Sequence, residues 1–310
     1  MKLLKEKIIG LILIPLTLVL GCAGGDAGLE NIQQRGYSDS SRLVSTEWLS
    51  SHLNDKNLIV VDFRKKEDYD AGHIPGALHL TPGEVFQQTI NEVKGMLPTR
   101  THIEKHLGSI GLTPESTIVL YDGKANLWSS RGLWAMDVYG HKNTKLLDGV
   151  WTKWSAENRA TSTETPTVKA YDYRFSGIVN DSLVANWEEV LNSIEDPSKI
   201  VCDTRSPEEY AGKDVRADRG GHIPDAKNVN WILGAEESGE FKSAAELKTL
   251  YKNAGVTDGK TIFTLCQTAV RATHTWFILS DLLGHDDVKV YDGSWIEWGN
   301  NPDLPIKTGG

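Results

Sequence analysis

Cysteine is scarce in this chain: three residues in 310, at positions 22, 202 and 266, with no Cys-x-x-Cys pair. Such a count rules out a disulfide-built framework. The nine histidines are scattered, so no cluster has metal-ligand spacing. Basic charge is in deficit as well. The net charge of −9, with no basic run and no aromatic-basic stripe, argues against a nucleic-acid partner, although local basic groups would still attract a small anion. No glycine-rich dinucleotide fingerprint follows a predicted strand. The apolar run at the amino end, Ile8 to Leu20, contains Pro15 and is too short to span a bilayer comfortably. What remains, 39% hydrophobic and 24% charged residues, is ordinary for a soluble globular protein. The length suggests about two domains.

The amino end has the layout of a targeting segment. Lysines at 2, 5 and 7 precede the apolar run, which closes on Val19-Leu20-Gly21-Cys22. A small residue followed by cysteine after such a run resembles the bacterial lipoprotein cleavage site, although Leu20 is bulkier than usual there. The expectation is a signal peptide over 1–21, lipidation at Cys22, and an exported lipoprotein anchored through lipid on the periplasmic or extracellular face. An ordinary secretory signal and an uncleaved anchor are the alternatives. Gly, Ser, Asp and Gln dominate the following stretch to residue 41, which has no apolar period and reads as a flexible tether over 22–41.

The rest of the chain repeats itself. Val60-Val61-Asp62-Phe63-Arg64 recurs as Val201-Cys202-Asp203-Thr204-Arg205, Glu67-Asp68-Tyr69 as Glu208-Glu209-Tyr210, and Gly72-His73-Ile74-Pro75 as Gly221-His222-Ile223-Pro224. Leu147-Asp148-Gly149-Val150-Trp151 returns as Tyr291-Asp292-Gly293-Ser294-Trp295, and Gly140-His141 as Gly284-His285. Two copies of one domain follow, over 42–157 and 178–310, joined by a polar, proline-containing linker over 158–177. Each copy alternates short β-rich runs with helical stretches. That pattern predicts an α/β fold, a parallel sheet with helices on both faces. Ligands of such sheets bind beyond the carboxyl ends of the strands.

Cys266 lies at such an end. It follows the apolar run Thr261-Ile262-Phe263-Thr264-Leu265 and opens the loop Cys266-Gln267-Thr268-Ala269-Val270-Arg271. Beyond it, Ala272, Trp276, Leu279 and Leu283 form one face of a predicted helix. A thiol there meets free backbone N–H groups and the positive end of the helix dipole, which favour the reactive thiolate. The plain alternative is a buried structural cysteine. Cys202 sits in a predicted buried strand. A disulfide to Cys266 would silence the thiol, and two reduced cysteines with separate jobs is the favoured reading. With Gly140-His141 set on Gly284-His285, no gap separates the two loops and Asp122 falls opposite Cys266.

These motifs resemble the rhodanese sulfurtransferase family over nearly all of residues 42–305. Tyr69-Asp70-Ala71-Gly72-His73-Ile74-Pro75-Gly76-Ala77 is similar to its amino-terminal signature, and Val288 to Trp298 to its carboxy-terminal one. The tandem arrangement is similar to that of thiosulfate and 3-mercaptopyruvate sulfurtransferases, in which the first domain is usually inert. The resemblance implies an enzyme that moves sulfur from a small anionic donor to a thiol or cyanide acceptor through a persulfide on Cys266. No separate cofactor and no metal is implied. A sulfur-carrier or non-catalytic binding module is the competing class. A cysteine phosphatase is disfavoured, because four residues separate Cys266 from Arg271 where phosphatase loops have one more.

Other candidate residues carry plainer alternatives. Gln267, Thr268, Ala269, Val270 and Arg271 are expected to cradle the persulfide through their N–H groups. Ala269 stands where glycine is usual, which predicts a backbone that avoids glycine-demanding angles. Arg271 either adds positive charge beside the sulfur or braces the loop. By region, the resemblance makes Arg216 or Arg219 the holder of the donor anion; a solvated charge run is the alternative. Trp295 and Glu297 belong to the matched signature and would border the pocket, unless they simply pack. Asp203 and Arg205 read as an internal ion pair. Asp62 and His73 resemble positions proposed in mercaptopyruvate enzymes to act with a loop hydroxyl, here that of Thr268. His222, in the same motif context as His73, points instead to a shared bracing role.

Overall fold

The computed structural model describes residues 31–309. Cys22 and the targeting segment lie outside them. In chain order, the first half contributes β1 (Leu43–Val44), β2 (Leu58–Asp62), β3 (Leu78–His79), the hairpin strands β4 (Gln88–Ile90) and β5 (Val93–Met96), β6 (Thr117–Tyr121) and β7 (Thr144–Leu147). The second half contributes β8 (Val184–Ala185), β9 (Lys199–Asp203), β10 (Lys227–Asn228), β11 (Thr261–Leu265) and β12 (Val288–Tyr291). Two five-stranded parallel sheets result, in the orders β1-β7-β6-β2-β3 and β8-β12-β11-β9-β10. Strand for strand these are the same topology, as the internal repeat requires. Parallel strands need crossovers, and helices supply them on both faces.

The strands alternate between two cores. In β6, Ile118 and Leu120 point into one apolar cluster, and Val119 and Tyr121 into another. In β11, Ile262 joins the first cluster, and Phe263 and Leu265 enter a third. The first cluster is shared: Phe63, Leu133 and Trp134 of one half continue into Trp276, Phe277 and Leu279 of the other. Helix Leu127–Tyr139 packs there on helix Val270–Phe277. The seam between the halves is therefore core, and the helices that start at the two loops meet across it. The predicted helix after Cys266 is present, and its last part, Ile278–Leu282, winds as a π-helix.

Two segments are more ordered than their composition predicts. From residue 31 the stretch expected to be a tether is part of the body. Ile32 is buried, and the Tyr37 hydroxyl donates to the carbonyls of Phe241 (3.1 Å) and Lys242 (2.9 Å). Arg35 joins Asp148 (2.7 Å) of the first half to Glu240 and the Phe241 carbonyl of the second, and Arg42 joins Asp137 to Asp281. Three side chains of that stretch, with Arg42 just beyond it, thus outweigh a polar composition. The linker is likewise held down, by bridge pairing of Ser162 with His73 and by burial of Tyr173 and Phe175. Among the described residues, no helix is long and apolar enough to cross a membrane.

Candidate active site

β11 ends at Leu265, and Cys266 begins the turn into helix Val270–Phe277. Both remaining described cysteines are free thiols, so no disulfide links Cys202 to Cys266. Cys202 sits inside β9, opposite Thr264, where burial and the Asp203 charge push its thiol far above the ordinary range. It is inert packing. Cys266 is also buried, at 1% exposure, but in a loop rather than in a strand.

Ser294 pins that loop from below. Its Oγ accepts the N–H groups of Cys266 (3.3 Å) and Ala269 (3.1 Å) and donates to the Tyr291 carbonyl (2.9 Å). The Ala269 amide, expected to face the sulfur, is turned to a hydroxyl instead. Ala269 adopts φ 60°, ψ −6°, a left-handed conformation. The expectation that alanine marks an undemanding backbone is thus incorrect. The Ser294 bond and the start of the helix hold it there against a cost of order 1 kcal/mol. Main-chain bonds from Trp295 to the Cys266 carbonyl (2.9 Å) and from Ile296 to the Gln267 carbonyl (3.1 Å) complete the support.

Arg271 both braces and charges the loop. Its guanidinium makes a two-pronged bond to Glu209, at 2.6 and 2.8 Å. Burial disfavours its charge, but the Glu209 hydrogen bond and the Cys266 sulfur outweigh that and raise its pKa. Glu209 was not singled out by sequence reasoning, although its motif Glu208-Glu209-Tyr210 is one of the repeated ones. Arg216 is half exposed, pairs with Asp214 (2.5 Å), and lies 3.6 Å from the same Glu209 carboxylate. Gln267 donates to the Arg216 carbonyl at 2.8 Å, tying this insertion to the cysteine loop.

The remaining candidates are placed elsewhere. Arg219 spends its guanidinium on the carbonyls of Trp298, Gly299, Asn301 and Leu304, so it anchors the carboxy-terminal turn and is not free to hold a donor. Trp295 is a core side chain. Its indole N–H donates to the Arg219 carbonyl (3.1 Å), and the Arg205 guanidinium lies 4.1 Å over its ring. Glu297 folds against Gly293, and burial with the charges of Glu188 and Asp292 raises its pKa. Asp203 and Arg205 form the expected internal pair, at 2.5 Å.

Asp62 and His73 do not approach Thr268 in any hydrogen bond of the described residues. Asp62 is held by Arg64 (2.6 Å) and the Tyr121 hydroxyl (2.5 Å). His73 stacks on Tyr69 at 3.8 Å, with its ring nitrogens on the carbonyls of Tyr69 (2.8 Å) and Glu164 (3.1 Å). His222 repeats this on Tyr210, at 3.7 Å, with Nδ1 on the Tyr210 carbonyl at 2.9 Å. Both histidines brace the same turn, and the catalytic triad is set aside on that ground.

The first half instead reaches Thr268 with groups the sequence did not mark. Gln87 donates to the Thr268 carbonyl at 3.2 Å. Gly95, in β5 at φ 82°, passes so close that a Cβ there would sit 2.7 Å from the Thr268 Cβ. The wholly buried Arg131 holds this hairpin in place through the Gly95 carbonyl (3.2 Å) and crosses the seam to Asp292 (2.7 Å).

The matching loop of the first half has the same path and a different occupant. The buried Asp122 carboxylate accepts the N–H groups of Lys124 (2.7 Å), Trp128 (2.9 Å) and Ser129 (3.0 Å), and the Ser129 hydroxyl (3.1 Å). Burial raises its pKa and these bonds lower it in part. An anion therefore does sit in this turn, ringed by amides.

A rhodanese-like domain model matches residues 45–157 and again 186–301. This chain belongs to the rhodanese family. It is 36% identical over 288 residues to the sulfur carrier protein TtuD of Thermus thermophilus, covering 88% of this chain and 99% of that one. It is 35% identical over 290 residues to the thiosulfate sulfurtransferase of Corynebacterium glutamicum, covering 88% and 92%. Among solved structures, the anaerobic ergothioneine biosynthesis enzyme of Chlorobium limicola superimposes with a TM-score of 0.77 at 22% identity, over 87% of this chain and 70% of that one. YnjE gives 0.77 at 23%, over 87% and 68%. At these identities the two structures speak to the fold alone. The tandem rhodanese architecture is thus shared along almost the whole described chain.

Proposed function

We propose that the chain is a sulfurtransferase whose nucleophile is Cys266. The observation that carries this reading is the pair of loops. Where one holds a carboxylate with backbone amides, the other holds a thiol at the same turn. Thr268 and Ala272 stand where Lys124 and Trp128 bind Asp122, and among the described residues no intramolecular acceptor meets their N–H groups. A sulfur anion is the acceptor that suits them. The Arg271 charge adds to this field.

The reaction runs in two displacements. The Cys266 thiolate attacks the outer sulfur of thiosulfate. The S–S bond of the donor breaks, sulfite leaves with the electron pair, and a persulfide anion remains on Cys266. With 3-mercaptopyruvate the C–S bond breaks and pyruvate leaves after its enolate takes a proton. A thiolate or cyanide then attacks the outer persulfide sulfur and returns the Cys266 thiolate. Arg216, half exposed and tied to the loop through Gln267, is suited to hold the anionic donor. No metal or separate cofactor enters. The amino-terminal segment supports export and lipid attachment at Cys22, which mass spectrometry of the mature amino terminus checks.

Intact-mass measurement after incubation with thiosulfate, and separately with 3-mercaptopyruvate, tests the reading. The expected result is a gain of one sulfur that cyanide removes and that Cys266→Ala lacks. The likeness to a sulfur carrier protein favours one alternative, a thiol loaded by a partner protein. No gain from either donor would decide for it.

A further inference from the structure

Two ion pairs near the cysteine loop are closed one to one: Asp203 holds Arg205, and Asp292 holds Arg131. Glu209 differs, one carboxylate facing two arginines. It grips Arg271 at 2.6 and 2.8 Å, while Arg216 lies 3.6 Å away and pairs with Asp214. Glu209 is itself fixed. Its side chain accepts the Ser206 N–H (3.1 Å) and its own N–H bonds the Ser206 hydroxyl (3.2 Å), a closed capping box on the short helix Pro207–Tyr210. Burial would raise the carboxyl, but Arg271, Ser206 and Arg216 bring it down to about 2, so it is charged whenever the protein works.

The first half lacks both members of this pair. Asp68, in the matching motif, is exposed to solvent, and Leu127 takes the place of Arg271. Where there is no thiol there is neither the arginine nor its clamp. A brace needed only for folding would be expected in both loops, because both follow the same turn.

We propose that Glu209 is a positioning residue that clamps Arg271 and sets how much of its charge the Cys266 sulfur feels. This rests on Cys266 as the nucleophile. An unclamped guanidinium beside the sulfur would over-stabilise the thiolate. A thiol of lower pKa is a weaker nucleophile, and sulfur transfer is fastest with a thiol that titrates near the working pH. The two-pronged bond to Glu209 offsets that charge and keeps the guanidinium in one orientation.

The test is the pH dependence of Cys266 alkylation by iodoacetamide, followed by intact mass on the whole chain. Glu209→Gln keeps the size and most of the cap while removing the charge. It is expected to lower the alkylation midpoint by about one pH unit, the lower end of what a neighbouring charge does, and to slow alkylation at high pH. Arg271→Gln is expected to raise the midpoint. In the double variant the midpoint should match Arg271→Gln alone, because Glu209 acts only through Arg271. Should Glu209→Gln not accumulate as folded protein, Glu209→Asp is read in its place, with a smaller shift in the same direction. An unchanged or raised midpoint in either folded variant, or simple additivity in the double variant, overturns the inference. Alkylation needs no sulfur donor. A lowered midpoint without sulfur gain from either thiosulfate or 3-mercaptopyruvate would leave Glu209 standing and remove the transferase reading. Normal sulfur gain with an unmoved midpoint would do the reverse.

Discussion

The Asp122 loop and the Cys266 loop are one structure used in two ways. Each begins at the carboxyl end of a central strand, β6 or β11, and each turns through a left-handed alanine, Ala125 at φ 49° and Ala269 at φ 60°, into a helix at the seam. In the first, the chain supplies its own anion and the amides are spent on it. In the second, the residue at that point is the thiol proposed as the nucleophile, with the Arg271–Glu209 pair beside its loop. A duplicated domain has thus kept the same turn in both copies, with a carboxylate at its start in one and a thiol in the other. The walls are exchanged as well. Leu97 of the first half donates its N–H to Asp292 (2.6 Å), and Phe241 of the second donates to Asp148 (3.0 Å). Neither loop is enclosed by its own domain alone.

The sharpest way to break this comparison is to remove the thiol from the second loop. Cys266→Ala is expected to reduce sulfur transfer to background while changing stability by less than about 1 kcal/mol, since it deletes one small buried atom. Cyanide-dependent turnover and urea unfolding measure the two. A variant with substantial residual transfer would mean that another group carries the sulfur.

The latches at the two Asp-Gly turns come next. Asp292 is held by Arg131, which is completely buried, and Asp148 by Arg35, which is partly exposed. Removing one partner of a buried pair costs about 3–5 kcal/mol, and a more exposed pair is worth less. Arg131→Met should therefore shift the urea midpoint clearly further than Arg35→Met. Equal shifts would show that the seam does not depend on the buried pair.

Asp122→Ala should cost about 2 kcal/mol, from several buried N–H groups left without an acceptor, less the relief of no longer burying a carboxylate. Sulfur loading per folded molecule should stay near that of the parent. A stability unaffected by this change would mean that water replaces the carboxylate at no cost.

His274 offers a contrast in pH. It stands where the first half has Ser130, wholly buried between Trp231 and Phe241, with neither ring nitrogen in a hydrogen bond. Burial pulls its pKa from the ordinary 6.5 down to about 3, and the nearby Ala125 backbone offsets this only in part. Between these values the unfolded chain binds a proton that the folded chain refuses. Stability should therefore fall as pH drops from 6.5 toward 3, with a slope approaching about 1.4 kcal/mol per unit from this group. His274→Phe should flatten that part of the pH–stability curve, and an unaltered slope would exclude the assignment.

The smallest effect expected is at the hairpins. Gly95 and Gly239 are counterparts, both at positive φ, 82° and 85°. An added Cβ at 95 would press on Thr268, and one at 239 on Val150. Alanine at either should cost of order 1 kcal/mol of stability. Only Gly95→Ala should change the kinetics, by about 10-fold or less in kcat/KM, because only that wall touches the thiol loop.

The repeat, the α/β class and the placement of Cys266 were legible because they are written in contiguous motifs whose period and spacing survive without coordinates. The partners of those motifs were not. Glu209 reaches Arg271 only once the second half has folded, and Arg131 reaches Asp292 and Gly95 reaches Thr268 only after the two halves meet; no local pattern encodes such pairs. Composition also misled at 31–41. A polar stretch carries no apolar period, yet Ile32 is buried and Arg35 and Tyr37 find fixed partners. Arg219 was indistinguishable from Arg216 in sequence, since one guanidinium's burial among four carbonyls is settled by a turn far along the chain. Ala269 failed as a backbone indicator because the cost of its conformation is met by the Ser294 hydroxyl.

Arg42 has a further consequence, for the order in which the molecule is completed. Its guanidinium bridges Asp137 and Asp281, and the second of these lies 239 residues later in the chain. During synthesis the first part of the body to emerge is the last to find its full set of neighbours. Each sheet is built from strands of one half alone, but the clasp across them closes only when nearly the entire chain is out.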